Sequence, residues 1–260
     1  MITIILYASA LAFVVFSALW VVQRKTRNAG IVDVGWSATI PLLVCMYFLL
    51  ISKWDNPRAV VALLMAAIWG GRLAWHIHRR AHGKPEDARY TELRQKWAPR
   101  FEFKIFIFFQ FQAAAAVLFS VPFLIAMLNK RADVTVLEWT GAAIWLLAWL
   151  GEGASDRQLN RFKRDPANRG KVCEAGWWNY SRHPNYFFEW LIWVGIAIFA
   201  WSSPLGWLAI ICPALMLVFL FKVTGIPYTE QQSLKSKGDL YRRYQQTTSA
   251  FVPWFKKKAT

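Results

Sequence analysis

The chain opens with residues 1–22, MITIILYASALAFVVFSALWVV, followed at once by Gln23-Arg24-Lys25-Thr26-Arg27. A helix of that length spans the roughly 30 Å hydrocarbon core of a bilayer. No basic residue precedes the run and three follow it closely, so it reads as a first membrane span rather than a cleaved leader, although Ala8-Ser9-Ala10 imitates a cleavage site. Comparable apolar runs recur near 32–51, 59–78, 104–128, 134–152, 186–202 and 205–222. The expected fold is an all-α integral membrane protein: one membrane domain, a bundle of about seven transmembrane helices.

Composition agrees. Hydrophobic residues make up 56% of the chain and aromatic ones 17%, more than a soluble domain accommodates unless much of that surface faces lipid. The sixteen Trp suit the headgroup boundary, where one end of the indole is apolar and the other wet. A formal charge of +16 raises nucleic acid as a partner, but the basic residues lie between the apolar runs, so the expected partner is the bilayer. With the N-terminus outside, the inner loops 23–31, 79–104, 153–185 and 222–260 hold 26 of the 31 Lys and Arg. The opposite loops hold only Lys53, Arg58, Lys130 and Arg131, and Arg72 alone lies within a span. This asymmetry predicts an outer N-terminus and a cytoplasmic C-terminus, as in a multi-pass protein of a bacterial inner membrane. Cys45, Cys173 and Cys212 show no CxxC spacing, so no metal site is expected.

The segments between spans are too short for a separate nucleotide-binding domain, so any ligand must sit among helix ends and inner loops. Arg72, His76, Arg79 and Arg80 recur on one helical face, with Arg72 deep in its span after Gly70-Gly71; Arg79 and Arg80 can snorkel, whereas Arg72 suits an anion. Asp33, near the start of the second span, is either a helix-terminal charge or an acid facing a cavity. If the fifth span continues as helix beyond the membrane, Glu152, Asp156, Asn160 and Lys163 form one polar stripe, acceptors deep and a cation at the rim. That order fits a ligand with an amide or ribose inside and a phosphate outside, or else a solvated helix face.

The stretch 176–193, GWWNYSRHPNYFFEWLIW, places Pro184 in a first helical turn, with Asn185, Glu189 and Trp193 on one face. Arg182 and His183 beside a helix N-terminus can receive an anion; an interfacial cap with aromatic anchors is the plainer alternative. After the seventh span, Thr224-Gly225-Ile226-Pro227-Tyr228-Thr229-Glu230 breaks the chain and leads to an inner segment. Lys256, Lys257 and Lys258 form a basic tail attracted to anionic headgroups.

Arg182-His183-Pro184-Asn185-Tyr186 with Glu189, the preceding Glu152-x3-Asp156-x-Gln158, and the closing Tyr241-x2-Tyr244 and Phe251-Val252-Pro253 together resemble a bacterial branch of the steroid 5-alpha-reductase family. Asp33-x-Gly35-Trp36, Arg72-x3-His76 and Glu86-Asp87-x-Arg89-Tyr90 also look like that branch, more loosely. It is related to isoprenylcysteine carboxyl methyltransferase-like proteins and was long described only as a domain of unknown function. The resemblance implies a seven-helix enzyme that binds NADPH and reduces the 4,5 double bond of a 3-oxo-steroid or similar lipid-like enone. It implies a substrate-side half, 1–130, and a cofactor half, 131–260.

Implied cofactor contacts are Glu152, Asp156, Lys163, Lys171, Asn185, Tyr186 and Glu189. Lys163 and Lys171 stand where animal members carry Arg, with Arg161 and Arg164 as neighbouring cations. The family's substrate-facing acid corresponds to Asp33, and its partner Tyr falls at Trp69, which has no phenol. Hydride addition to an enone leaves negative charge on the carbonyl oxygen, so Asp33, protonated or bridged by water, is the expected donor, with Tyr90 and His76 in reserve. Arg72, Asn160, Arg164, Arg182, His183, Trp193 and Tyr228 complete the expected cofactor set.

Two rivals share these features. Membrane methyltransferases using S-adenosylmethionine also carry an RHPxY element before a late helix; the Glu152/Asp156 stripe and the surplus of phosphate-compatible cations favour NADPH. A transporter or scaffold is disfavoured because the spans show no inverted repeat and the charges gather at one face rather than the midplane.

Overall fold

The computed structural model describes residues 1–51, 54, 56–131, 133–223 and 225–257, which are almost wholly helical and contain no strand. They form two compact units, residues 1–134 with 202–206, and residues 135–201 with 207 onward.

In the first unit, α1 (Ile2–Thr26), α2 (Ile31–Ile51), α3 (Pro57–Ala81) and α5 (Phe101–Met127) are long apolar helices, and α4 (Ala88–Trp97) is a short polar one. Local signals set the ends. Arg27 closes α1 in the left-handed region (φ 55°), and Asn56 caps α3 by accepting from the Arg58 and Ala59 amides, with Pro57 in the first turn. α2 packs on α1, α3 and α5. Its approach to α3 needs Gly70, where a Cβ would lie 2.6 Å from the Ser37 carbonyl oxygen and 2.7 Å from the Pro41 ring. The core is aromatic: Trp36 stands edge-on to Trp69 and Phe119, and the Tyr47 and Ser120 hydroxyls share a hydrogen bond of 2.7 Å. Trp69, aligned with a phenol in the resemblance, is a fully buried core ring.

The second unit contains α6 (Val136–Arg164), α7 (Pro184–Trp201), α8 (Ile211–Val218), α9 (Ile226–Lys237) and α10 (Asp239–Thr247). A capping box starts α6: the Glu138 amide donates to Thr135 Oγ1, and the Thr135 amide to the Glu138 carboxylate at 2.6 Å. The helix then runs unbroken to Arg164, well past the apolar run that ends near 152. α7 returns antiparallel along α6. A Cβ on Gly141 would lie 2.4 Å from the Phe199 nitrogen, and one on Gly195 would lie 2.7 Å from the Trp145 nitrogen. Backbone meets backbone there, as in small-residue crossings of membrane helices. α8 widens into a π turn at Phe219–Val223 before α9 begins beyond Gly225; Thr224, part of the break expected there, lies outside the described residues.

Among the described residues, five helical segments are long and apolar enough to cross a membrane: Ile2–Thr26, Ile31–Ile51, Pro57–Ala81, Phe101–Met127 and Gly206–Lys237. The two other runs expected to span, 134–152 and 186–202, fall in α6 and α7. Both are helical, but Glu138, Glu152, Asn185 and Glu189 lower their apolarity.

The glycine contacts give a paired test. Gly195→Val should lower stability by about 1–3 kcal/mol through overpacking against α6. Gly71→Ala, whose new methyl would meet nothing within 4 Å, should be neutral or stabilising. Thermal unfolding in one detergent checks both; equal effects would contradict the packing.

Candidate functional site

Below its glycine contacts, the α6–α7 pair becomes polar. Glu152 (4% exposed) and Asp156 (8% exposed) are buried on α6, whereas Asn160, Lys163 and Arg164 are exposed, so the stripe runs from deep acceptors to rim cations. The Asn185 side-chain amide reaches Asp156 Oδ1 at 3.5 Å, joining two of the expected residues across the helix pair. One turn along α7, Trp193 Nε1 donates to Glu189 Oε1 at 2.9 Å. The turn before α7 folds back onto α6: Trp178 Nε1 donates to the Ser155 carbonyl at 2.9 Å, and the Trp177 amide to Gln158 Oε1 at 2.9 Å. Gly176 permits this with φ 59° and no Cβ, which would sit 2.3 Å from the Gln158 amide nitrogen. Lys171 is exposed in the loop between the helices.

Arg182 and His183, expected to meet an anion, meet the protein's own carboxylate. Arg182 Nε donates to Glu230 Oε1 at 2.7 Å, and its Nη1 donates to the Gln245 and Thr248 carbonyls at 2.9 and 2.7 Å. His183 Nε2 lies 3.2 Å from the same Glu230 oxygen, and Gln245 Nε2 donates to Glu230 Oε2 at 2.8 Å. The Tyr186 ring stacks on His183 (5.4 Å, 4°), and its hydroxyl lies 3.3 Å from Thr229 Oγ1. Ser181 Oγ donates to the Phe251 carbonyl at 2.7 Å, and the Tyr244 hydroxyl to the Trp178 and Ser181 carbonyls. This network clamps the segment after α10 against the start of α7. Tyr228 is half-buried on α9, beside an open cavity of about 370 Å³ lined by Pro227, Glu230, Gln231, Leu234 and Gln245.

Glu230, Gln245 and Thr229 were not among the site residues expected from sequence, although Thr229 and Glu230 lie in the expected chain break. A usable signal for Glu230 was its isolation: residues 222–260 contain two acids against eight Lys and Arg. Gln245 and Thr229 carry no such mark.

In the first unit, Asp33 is an acceptor on both oxygens. The Tyr90 hydroxyl donates to Oδ1 at 2.6 Å and Arg89 Nη2 to Oδ2 at 2.9 Å. Glu86 accepts from the Ala29 amide at 2.7 Å and from Arg94, while Asp87 caps α4 through the Arg89 amide. α4 is thereby tied to the start of α2. Burial, then the Asp33 charge, pushes the Tyr90 phenol well above its ordinary range and keeps it protonated. Despite burial, Arg89 holds the Asp87 carboxyl below the usual range. His76 and Arg72 are half-buried on α3, and Arg79 and Arg80 are exposed. Among the described residues, no cluster of His, Cys, Asp and Glu could hold a metal ion.

The chain belongs to the family described as "Protein of unknown function (DUF1295)", whose model matches residues 19–248. It is 28% identical to "Uncharacterized protein C594.04c" of Schizosaccharomyces pombe, over 94% of this chain and 78% of that protein. It is also 29% identical to the "Delta(14)-sterol reductase erg24A" of Aspergillus fumigatus, over 49% of this chain and 25% of that protein. No solved structure matches at a significant level. Both relatives are eukaryotic, so the comparisons do not point to a bacterial inner membrane; the apolar helices indicate a membrane protein.

The clamp can be tested at Arg182 and at His183. Arg182→Ala leaves the Glu230 carboxylate half-buried beside an emptied site, which should cost about 3 kcal/mol and speed protease cleavage between residues 246 and 257. Arg182→Lys should not restore protection, since one ammonium cannot reach Glu230 and two carbonyls together. For His183, burial is the main cause that holds the imidazole below its ordinary value of 6.5, against the pull of Glu230. Just below pH 6.5 the unfolded chain therefore binds a proton that the folded one refuses, and stability falls as pH drops through that window. Unfolding temperature against pH should show this slope in the parent and a shallower one in His183→Gln.

Proposed function

We propose that this chain is a membrane reductase that uses NADPH to reduce the carbon–carbon double bond of an enone in a lipid-like substrate, of the kind found as the 4,5 double bond of a 3-oxo-steroid. The partial similarity to a sterol reductase supports the reductase class, and the likeness to the steroid 5-alpha-reductase family in the RHPNY element supports the finer reading. The single observation that carries it is the Asp156–Asn185 pair between buried Glu152 and exposed Lys163 and Arg164. A hydrogen bond of 3.5 Å is near the outer limit. Asn185 can exchange it for a better-placed ligand group.

These residues fit a dinucleotide. Asp156, Asn185, Glu152 and Glu189 would hold ribose hydroxyls and the carboxamide, while Lys163, Arg164 and Lys171 would neutralise phosphates at the rim. NADPH supplies the hydride when bound. An enone reduced at its β-carbon gathers charge on the carbonyl oxygen, which needs a hydrogen-bond donor. Tyr90 is the proposed donor, kept protonated by burial; its one hydroxyl proton, given to Asp33 in this structure, would turn to the substrate oxygen. Arg182 and His183 act in this reading by fixing the start of α7 rather than by meeting the ligand. The basic loops are proposed to face the cytoplasm, with seven crossings and the N-terminus outside.

Equilibrium binding of NADPH and of S-adenosylmethionine to the purified protein tests the reading. NADPH should bind and raise the unfolding temperature, and preferential stabilisation by S-adenosylmethionine would replace the reductase with a methyltransferase. Asn185→Ala and Asp156→Ala should each weaken NADPH binding by about tenfold, ~1.4 kcal/mol, with the fold intact. Unchanged affinity in both would remove the proposed pocket.

A further inference from the structure

The segment that follows α10 leaves large apolar side chains in solvent. Trp254 is 67% exposed and Phe255 75%, with Val252 beside them also exposed. Yet the segment is firmly placed. The Trp254 amide donates to the Tyr180 carbonyl at 2.9 Å, the Lys257 amide donates to the Thr247 carbonyl at 2.8 Å, and the Phe255 ring stands edge-on to Tyr180 at 6.1 Å. Lys256 pairs with Glu174, leaving the exposed Lys257 to face the surroundings; Lys258 lies outside the described residues. Between this segment and α10 is an open cavity of about 440 Å³, lined by Gln246, Ser249, Trp254, Phe255 and Lys257, with Arg182 in its wall.

Position and charge together say what covers these rings. Tyr180 precedes α7 by four residues, and a helix of 18 residues is about 27 Å long. At its far end Trp201 and Trp207 are exposed too. Exposed aromatic residues at both ends of a helix of this length are the pattern expected of side chains at two headgroup levels. Residues 222–260 also carry eight Lys and Arg against two acids, a charge complementary to an anionic leaflet.

We infer that residues 252–257 form an interfacial anchor that docks on anionic phospholipid, with Trp254 and Phe255 at the acyl boundary and Lys257 facing a lipid phosphate at the cavity. The anchor reaches the clamp directly, because the same segment supplies the Thr248 carbonyl to Arg182 and the Phe251 carbonyl to Ser181. Lipid docking therefore tightens the surroundings of His183. This holds whatever cofactor the α6–α7 pair receives.

Hydrogen exchange on the full-length protein in nanodiscs provides the test, read at the Trp254 and Lys257 amides. Discs of phosphatidylcholine mixed with phosphatidylglycerol should slow exchange by about tenfold relative to phosphatidylcholine alone. Lys257→Gln should remove most of that difference and Lys257→Arg should keep it, a contrast that loss of folding could not produce. Equal exchange in the two lipids would overturn the proposal. So would full protection in phosphatidylcholine discs on adding inorganic phosphate at matched ionic strength, which would mark a free-anion site instead.

Discussion

The backbone contact between α6 and α7 is the constraint on which the second unit depends. Gly141 and Gly195 bring the two helices close enough that any side chain at either position would strike main chain. Two rigid helices held so closely near one end must stay in register at the other. Asp156 on α6 consequently meets Asn185 on α7. Asp156 is buried because the helix pair surrounds it and supplies a partner; an unpartnered buried carboxylate would be costly.

Arg182 shows how the same low-dielectric setting governs the clamp. A guanidinium with five donors in a fixed fork needs several acceptors when it leaves water. Here a carboxylate and two backbone carbonyls converge on it from α9 and from α10 and the residues after it. One of those carbonyls lies in α10 and the other just after it, so the cation ties both to the start of α7. His183, Ser181 and Tyr244 add further bonds between the same two stretches, which couples the start of α7 to the end of the chain.

The first unit uses charge differently. Its long helices are held by aromatic packing and by glycine contacts. The short α4 is mostly polar and is attached through carboxylates: Asp33 to Arg89 and Tyr90, and Glu86 to Arg94 and the Ala29 amide. The Tyr90 phenol so placed is buried and gives its one proton to a fixed negative charge, which holds α4 against the start of α2.

Sequence alone determined the helices and the polar stripes, because both follow from spacing along one chain. Long apolar runs must satisfy their backbone within themselves and so become helices, and residues four apart must share a face. That is why α1, α2, α3 and α5 and the series Glu152, Asp156, Asn160 are legible in the order of residues by itself. Only the tertiary structure decided which partner each polar group takes. Arg182 was legible as a cation at a helix start, but its pairing with Glu230 joins residues 48 positions apart. Asp33 was legible as an acid in a costly place, but its role as acceptor depends on Tyr90 and Arg89 arriving from another helix. Spacing fixes which side chains share a face, whereas hydrogen-bond partners depend on how separate helices are brought together, and helical periodicity carries no information about that.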